Sequence, residues 1–260
     1  MFNNFPKNSL RFFLVFLCVS LFSNYSFAAT NYYNYDLYDD LDDVEEKEIS
    51  DPLEKMNRKI FTFNLKLNQY ILEPTAKGYR KVSNKRVRTS VRNFLRNLNS
   101  PMVLFNSVLQ LDGKNSAKTV GSFVLNSTVG VLGLFDPAKK IGINPEKRDF
   151  GQTLGKYGVG TGSYLVLPFF GPSNLRDSFG LATDRALDPL SFNVADIGKS
   201  GGSLLNSDQR IARNALFILE RSDYIYENFS PLIKSSFDPY VMARDAYLQF
   251  RENKVKKVKK

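Results

Sequence analysis

The 260-residue sequence predicts a mainly α fold with few or no strands. Three observations carry that prediction. Apolar residues recur three or four positions apart over long stretches, as one face of a helix requires. Asp-Pro and Ser-Pro pairs precede several of these stretches, where the acid or hydroxyl caps the helix and proline fits its first turn. The third is a shortage of strand-like segments: a run of seven largely apolar residues between turns, Tyr164 to Phe170, has the character of a buried strand or core segment.

Residues 1–28 read as an export signal, since Lys7 and Arg11 precede the apolar run Phe12 to Val19 and Ser26-Phe27-Ala28 supplies small residues for cleavage after Ala28. The run is shorter than the roughly 20 residues that span a bilayer. Cys18, the only cysteine, falls inside this signal. Lipid-modified bacterial proteins are cut just before a cysteine that follows a small residue, and Leu17 is not small, so the lipid anchor is in doubt. Residues 29–50 form an acidic, tyrosine-rich arm without apolar periodicity, read as a flexible segment or a docking segment.

Asp51-Pro52 opens the clearest helix, on which Leu53, Met56, Ile60, Phe63, Leu67 and Ile71 form one stripe that Phe61 and Leu65 widen. Phe61, Phe63 and Leu67 face either a core or a bilayer. After Pro74 the chain is strongly basic: Lys77, Arg80, Lys81, Lys85, Arg86, Arg88, Arg92 and Arg96 form a solvated face or meet anionic headgroups or an acidic partner. Further helices are expected from Ser100-Pro101 to Leu111, from Asn115 to Leu125, from Asn174 to Leu187, from Gly202 to Ser222, and after Asp238-Pro239 with Tyr240, Ala243, Tyr247 and Phe250 on one face. Glycines and prolines between Asn126 and Gly160 predict turns. The basic end 251–260 is expected to be disordered, as a solubilising end or an electrostatic tether.

Composition excludes much chemistry. The chain has no histidine, and cleavage after Ala28 leaves no cysteine, so histidine-based triads, thiolate catalysis and histidine-zinc sites are impossible. No cofactor is expected. Removing Lys7 and Arg11 with the signal takes the formal charge from +10 to +8, a balance that favours anionic partners. For an exported chain these are lipid headgroups or acidic proteins, and no nucleic acid.

The stretch GKYGVGTGSYLVLPFFGPSNLRD, Gly155 to Asp177, has the glycines of a phosphate loop but not its chemistry. Gly162 is followed by Ser163-Tyr164 where a P-loop needs Lys then Ser or Thr, and the residues before it are polar where a dinucleotide fold needs a strand. The alternative is a bent apolar segment: tight turns at the glycines, then Tyr164 to Leu167 broken by Pro168. At membrane depth such backbone is tolerated only when buried in protein or lining a cavity.

DPLEKMNRKIFTFN (51–64), FGQTLGKYGVGTGSYLVLPFFGPSNLRD (150–177) and SFDPYVMARDAYLQF (236–250) together resemble the VacJ/MlaA family of outer-membrane lipoproteins, over residues 51–250. The resemblance implies a ring-like bundle of amphipathic helices embedded in one leaflet of the outer membrane, with a central amphipathic channel. It implies non-catalytic transfer of mislocalised phospholipid from the outer leaflet to a periplasmic phospholipid carrier, maintaining lipid asymmetry, with a trimeric porin as a further partner. On motif position, the lipid path would take Tyr164, Leu165, Val166, Leu167, Pro168, Phe169 and Phe170, with Arg176 and Asp177 as polar groups beside it. Two departures stand out: the poor lipobox, and Ser163 where the motif commonly has proline. The competing readings are a porin or envelope scaffold using the same membrane-facing helices, and a phospholipase built without histidine.

Overall fold

The computed structural model describes residues 51–188, 190 and 207–259, so the leader, the acidic arm and the start of the helix expected at Gly202 lie outside the described residues. Its helices are α1 Glu54–Leu67, α2 Glu73–Val82, α3 Lys85–Leu98, α4 Ser100–Leu109, α5 Gly113–Thr128, α6 Pro137–Lys140 and α7 Phe150–Lys156. A hairpin follows, β1 Tyr164–Leu167 and β2 Gly171–Asn174, then α8 Leu175–Leu187, α9 Ser207–Tyr224, α10 Ser230–Ser235 and α11 Pro239–Lys259. The mainly helical expectation holds, and the apolar run of the glycine motif supplies the first strand of the hairpin. Among the described residues no helix is long and apolar enough to cross a membrane.

Short polar side chains set many helix starts by accepting from a backbone N–H three residues on. Asn84 caps α3 at 3.0 Å, Asp112 caps α5 at 2.9 Å, Asp149 caps α7 at 2.8 Å and Asn174 caps α8 at 2.8 Å. Asp238 accepts from Tyr240 and Val241, as the Asp-Pro reading expects. Ser100 departs from expectation. Asn99 already has helical backbone angles, so α3 runs almost directly into α4, and the Ser100 hydroxyl turns back to the Arg96 carbonyl instead of capping.

α1 and α9 each end in a π-helical turn, Asn68–Leu72 and Ile225–Phe229, and each turn is followed by a Pro two residues later, Pro74 and Pro231. Proline has no N–H for the carbonyl four residues back and its ring crowds that carbonyl, so the helix widens by one residue just before it.

The hairpin is antiparallel, with Tyr164 opposite Asn174 and Leu167 opposite Gly171. Its free edge is closed by two asparagines two turns apart on α1. Asn57 donates to the Tyr164 carbonyl at 3.1 Å and accepts from Val166 N–H at 2.9 Å. Asn64 donates to the Leu167 carbonyl at 2.9 Å and accepts from Phe169 N–H at 2.8 Å. Each amide thus stands in for a missing neighbouring strand. Beneath lies a core of Phe61, Tyr164, Val166, Tyr240 and Tyr247, with Phe61 and Tyr240 edge to face at 5.6 Å.

Two expectations are corrected. Residues 251–259 are not a disordered tail but the last turns of α11, where Arg251, Lys254, Val255 and Val258 are buried. Val255 packs close to Gly155 of α7. The basic stretch is also not simply a solvated or headgroup-facing surface. Arg80, Arg88 and Arg92 pair with Asp223, Arg80 also with Glu227 and Arg92 with Glu220, tying α2 and α3 to α9 and its π turn, while Arg96 pairs with Asp136. Lys77, Lys81, Lys85 and Arg86 stay exposed.

Candidate functional site

A cavity of about 410 Å³ lies between the hairpin tip, α1, α8, α9 and α11. Both π turns open onto it, through Asn68 and Leu72 and through Ile225 and Phe229. Phe61, Leu65 and Leu67 of α1, Phe169 and Phe170 of the hairpin, Leu181 of α8 and Phe250 of α11 make its wall largely apolar. That volume is within the roughly 300–1,000 Å³ range of small-molecule sites.

The polar groups gather in a buried cluster. The Arg251 guanidinium forks onto two carboxylates at once, meeting both Asp149 oxygens at 2.7 and 2.9 Å and both Asp177 oxygens at 2.7 and 2.9 Å. Arg176 Nε adds a bond to Asp177 at 3.0 Å, and the Tyr247 hydroxyl donates to Asp177 at 2.7 Å. Burial opposes ionisation of Asp177, but the Arg251 and Arg176 charges and these hydrogen bonds outweigh it and hold its pKa well below the usual range. Asp184 behaves oppositely: burial and the Asp149 charge push it up to about 7, against bonds from Phe150 N–H at 3.0 Å and Asn106 at 2.8 Å.

Two glycines let α7 reach this cluster. A Cβ on Gly180 would lie 2.3 Å from the Gly151 nitrogen, and one on Gly151 would lie 2.5 Å from an Asp177 oxygen. The glycine motif is therefore partly a packing motif, allowing α7 and α8 to touch backbone to backbone. Phe169 is strained, with φ at +68°, a left-handed angle that costs a bulky residue about 1–3 kcal/mol. Asn64 holds its N–H, and Arg221 of α9 donates to the carbonyls of Phe169 at 3.4 Å and Phe170 at 3.0 Å.

The residues singled out in the sequence divide. Phe169, Phe170, Asp177, Phe61 and Leu67 line the cavity. Tyr164 and Val166 sit in the core below it, Leu165 and Leu167 are half-buried along the hairpin, and Pro168 is exposed at its turn. Arg176 is buried behind Asp177 and also bonds to the Val159 carbonyl. Phe63 is exposed and meets the edge of Phe169 at 5.3 Å. Sequence reasoning missed Asp149, Asp184, Arg221 and Arg251. The spacing of Tyr247, Phe250 and Arg251 to Val255 and Val258, which continues one helix face, was the available signal for the last of these.

The MlaA lipoprotein model matches residues 49–254. The chain belongs to the MlaA lipoprotein family. The intermembrane phospholipid transport system lipoprotein MlaA of Escherichia coli is 34% identical over 206 residues, covering 77% of this chain and 76% of that one. A Rickettsia felis protein is 40% identical over 212 residues, covering 80% of this chain and 79% of that one. A chain solved in work on the structural basis for maintenance of bacterial outer membrane lipid asymmetry superposes with a TM-score of 0.64 at 32% identity, covering 80% of this chain and 100% of that chain. The protein is accordingly a non-enzymatic MlaA member, and most of α1, α7 with the hairpin, and the aromatic face of α11 are built from the three motifs that carry the resemblance.

Proposed function

We propose that this protein moves phospholipid between membranes: it takes mislocalised phospholipid from the outer leaflet of the outer membrane, passes it along a central channel and delivers it to a periplasmic phospholipid carrier. In this reading its amphipathic helices sit as a ring in one leaflet, beside a trimeric porin, and lipid asymmetry is the result. The observation that carries the reading is the cavity itself, an apolar chamber with charged groups at defined points, in a chain whose E. coli relative is named as a phospholipid transport lipoprotein. A two-tailed, charged-headed molecule needs that combination of walls. A seat in hydrocarbon is supported by the surface of α5 and the turn after it, where Val120, Phe123, Val124, Val129, Leu132 and Phe135 are exposed together. The lipid path would run along Tyr164 to Phe170, with Phe169 and Phe170 at the cavity and Arg176 and Asp177 beside it.

The test is the phospholipid content of the outer leaflet in cells lacking the protein, with and without a plasmid copy. The expected result is a rise that the plasmid reverses. No rise, with the protein confirmed in the outer membrane, would favour the scaffold reading instead.

A further inference from the structure

The seat in hydrocarbon uses the turn after α5 only as apolar area, and leaves the backbone of that turn and the lysines beside it without a role. Val131, Leu132 and Gly133 are left-handed in succession, with φ at +52°, +58° and +91°. Glycine takes that conformation freely, whereas a β-branched or bulky residue takes it only under strain. The surroundings impose it. Gly133 lies so close to α3 that a Cβ there would stand 2.4 Å from the Asn97 Cβ. Asn97 donates to Ser127 Oγ at 2.9 Å and to the Leu132 carbonyl at 3.4 Å, while Asn126 donates to Asp136 at 3.0 Å and accepts from Ala138 N–H at 3.2 Å. Backbone bonds close the turn, from Gly133 N–H to the Asn126 carbonyl at 2.7 Å and from Phe135 N–H to the Gly130 carbonyl at 2.9 Å. The polar side chains are thus used inside and the apolar ones stand outside: Val129 is 70% exposed and Leu132 67%, with Val131, Phe135 and Ile141 exposed beside them. Strain that the surroundings over-determine gathers where a function needs a fixed shape. The shape fixed here is an apolar tip. Lys139 and Lys140 follow at once on α6, both exposed and neither paired with an acid among the described residues. Asp136, the acid nearest to them in sequence, is held by Arg96 and Asn126.

We propose that the turn 129–135 is an insertion tip that selects anionic phospholipid: its apolar side chains enter the acyl region of a leaflet, and Lys139 and Lys140 meet negatively charged headgroups at the surface. The proposal rests on the seat in one leaflet proposed above, and adds which turn inserts and which headgroup charge it selects. A groove on another protein could take the apolar side chains. A rigid apolar tip with two free cations at its base instead matches a layered partner, charged at its surface and apolar beneath. Lysine suits that boundary, because its stem packs along apolar surface while its ammonium stays at the polar level.

The experiment floats the full-length protein with vesicles of phosphatidylcholine alone and with vesicles of phosphatidylcholine and phosphatidylglycerol in equal parts. Wild type is compared with K139Q/K140Q, with L132S/F135S, and with K55Q/K59Q, which removes the same charge from exposed, unpaired lysines of α1. Wild type should partition about tenfold or more strongly onto the mixed vesicles, since each lysine at an anionic surface adds several-fold. K139Q/K140Q should lose most of that gain while keeping its partition onto phosphatidylcholine, and K55Q/K59Q should keep the gain. L132S/F135S should fall several-fold on both vesicles. Equal partition of the two lysine variants onto the mixed vesicles overturns the headgroup contact, because net charge alone would then be at work, and leaves the seat standing. Equal partition of wild type onto both vesicles has the same meaning. Partition of L132S/F135S like wild type overturns the tip, whatever the lysines do. Flotation of wild type with neither vesicle overturns the tip and the seat together. Should L132S/F135S not fold, F135W places the only tryptophan of the chain at the tip. Its emission must shift to the blue on the mixed vesicles, and an unshifted spectrum sinks the proposal.

Discussion

Two parts of the molecule bury opposite kinds of side chain. Around the hairpin and α11 the interior is aromatic, with Phe61, Tyr164, Tyr240 and Tyr247 in contact, while Lys55, Lys59 and Lys66 of α1 point outward. Along α4 and α5 the order is inverted. Asn106, Ser107, Gln110, Asn115, Thr119, Ser122 and Asn126 are buried, and Val108, Val120, Phe123 and Val124 are exposed. The buried amides and hydroxyls are bonded: Asn115 reaches Ser107 and the Glu146 carbonyl, and Gln110 reaches Thr153. A helix in water hides its apolar side, so a helix that shows valine and phenylalanine and ties up its asparagines inside is arranged for apolar surroundings. The difference is the one that the proposed seat in one leaflet requires, with one side of the fold arranged for water and the other for lipid.

The largest effect should come from breaking the charged cluster between α7, α8 and α11. Arg251→Met removes the one guanidinium that serves both Asp149 and Asp177, leaving two buried carboxylates with weaker compensation. Breaking a buried pair in this way costs about 3–5 kcal/mol. Urea melts of the purified protein should show a loss of that size. A loss below about 1 kcal/mol would mean that the cluster is solvated and that the aromatic side of the molecule does not depend on it.

This inversion also marks how far the fold was legible. α1, α8 and α11 begin within a few residues of their expected positions because capping residues and apolar spacing act locally. On α5, Asn115, Thr119, Ser122 and Asn126 recur as regularly as an apolar stripe, yet a rule that puts apolar residues inside places them outward. The basic stretch was misread because Arg80 and Arg92 find their acids 143 and 128 residues away, and no local pattern reports that. The helical end of α11 was hidden by its lysines, which mask the two valines that pack. At the site, the apolar run Tyr164 to Phe170 and Asp177 were visible as a motif, though not its pairing into a hairpin, whereas Asp184 and Arg221 reach the cavity only through tertiary packing.

Asp184 joins the two parts, accepting from Asn106 of α4 and from the first backbone N–H of α7. Its pKa rises from 3.8 to about 7 on folding, so the native state holds the proton more tightly than the unfolded chain. Protonation therefore favours the fold. The contribution is complete below pH 4 and is lost as pH rises through about 7, at up to about 1.4 kcal/mol per unit. Asp184→Asn removes that titration. Melts at intervals from pH 4 to 8 should show the wild type losing stability relative to the variant, and parallel curves would place Asp184 in contact with water.

The smallest effect on stability is the sharpest test of the comparison, and it uses a matched pair of exposed positions. Lys59→Ala on α1 and Val124→Ser on α5 both change surface side chains. Each should therefore move the urea midpoint by no more than about 0.5 kcal/mol in detergent-free buffer. In flotation with phosphatidylcholine vesicles the two should separate. Val124 is 53% exposed, so if the α5 face rests in hydrocarbon, serine forfeits about 1 kcal/mol of apolar transfer and partition falls several-fold. Lys59 faces water in both states, and uncharged headgroups give it no anion to lose, so its variant should float like wild type. Equal partition of the two variants would show that α4 and α5 expose their valines to water or to a protein partner, and the inverted interior would then need an explanation other than a lipid one.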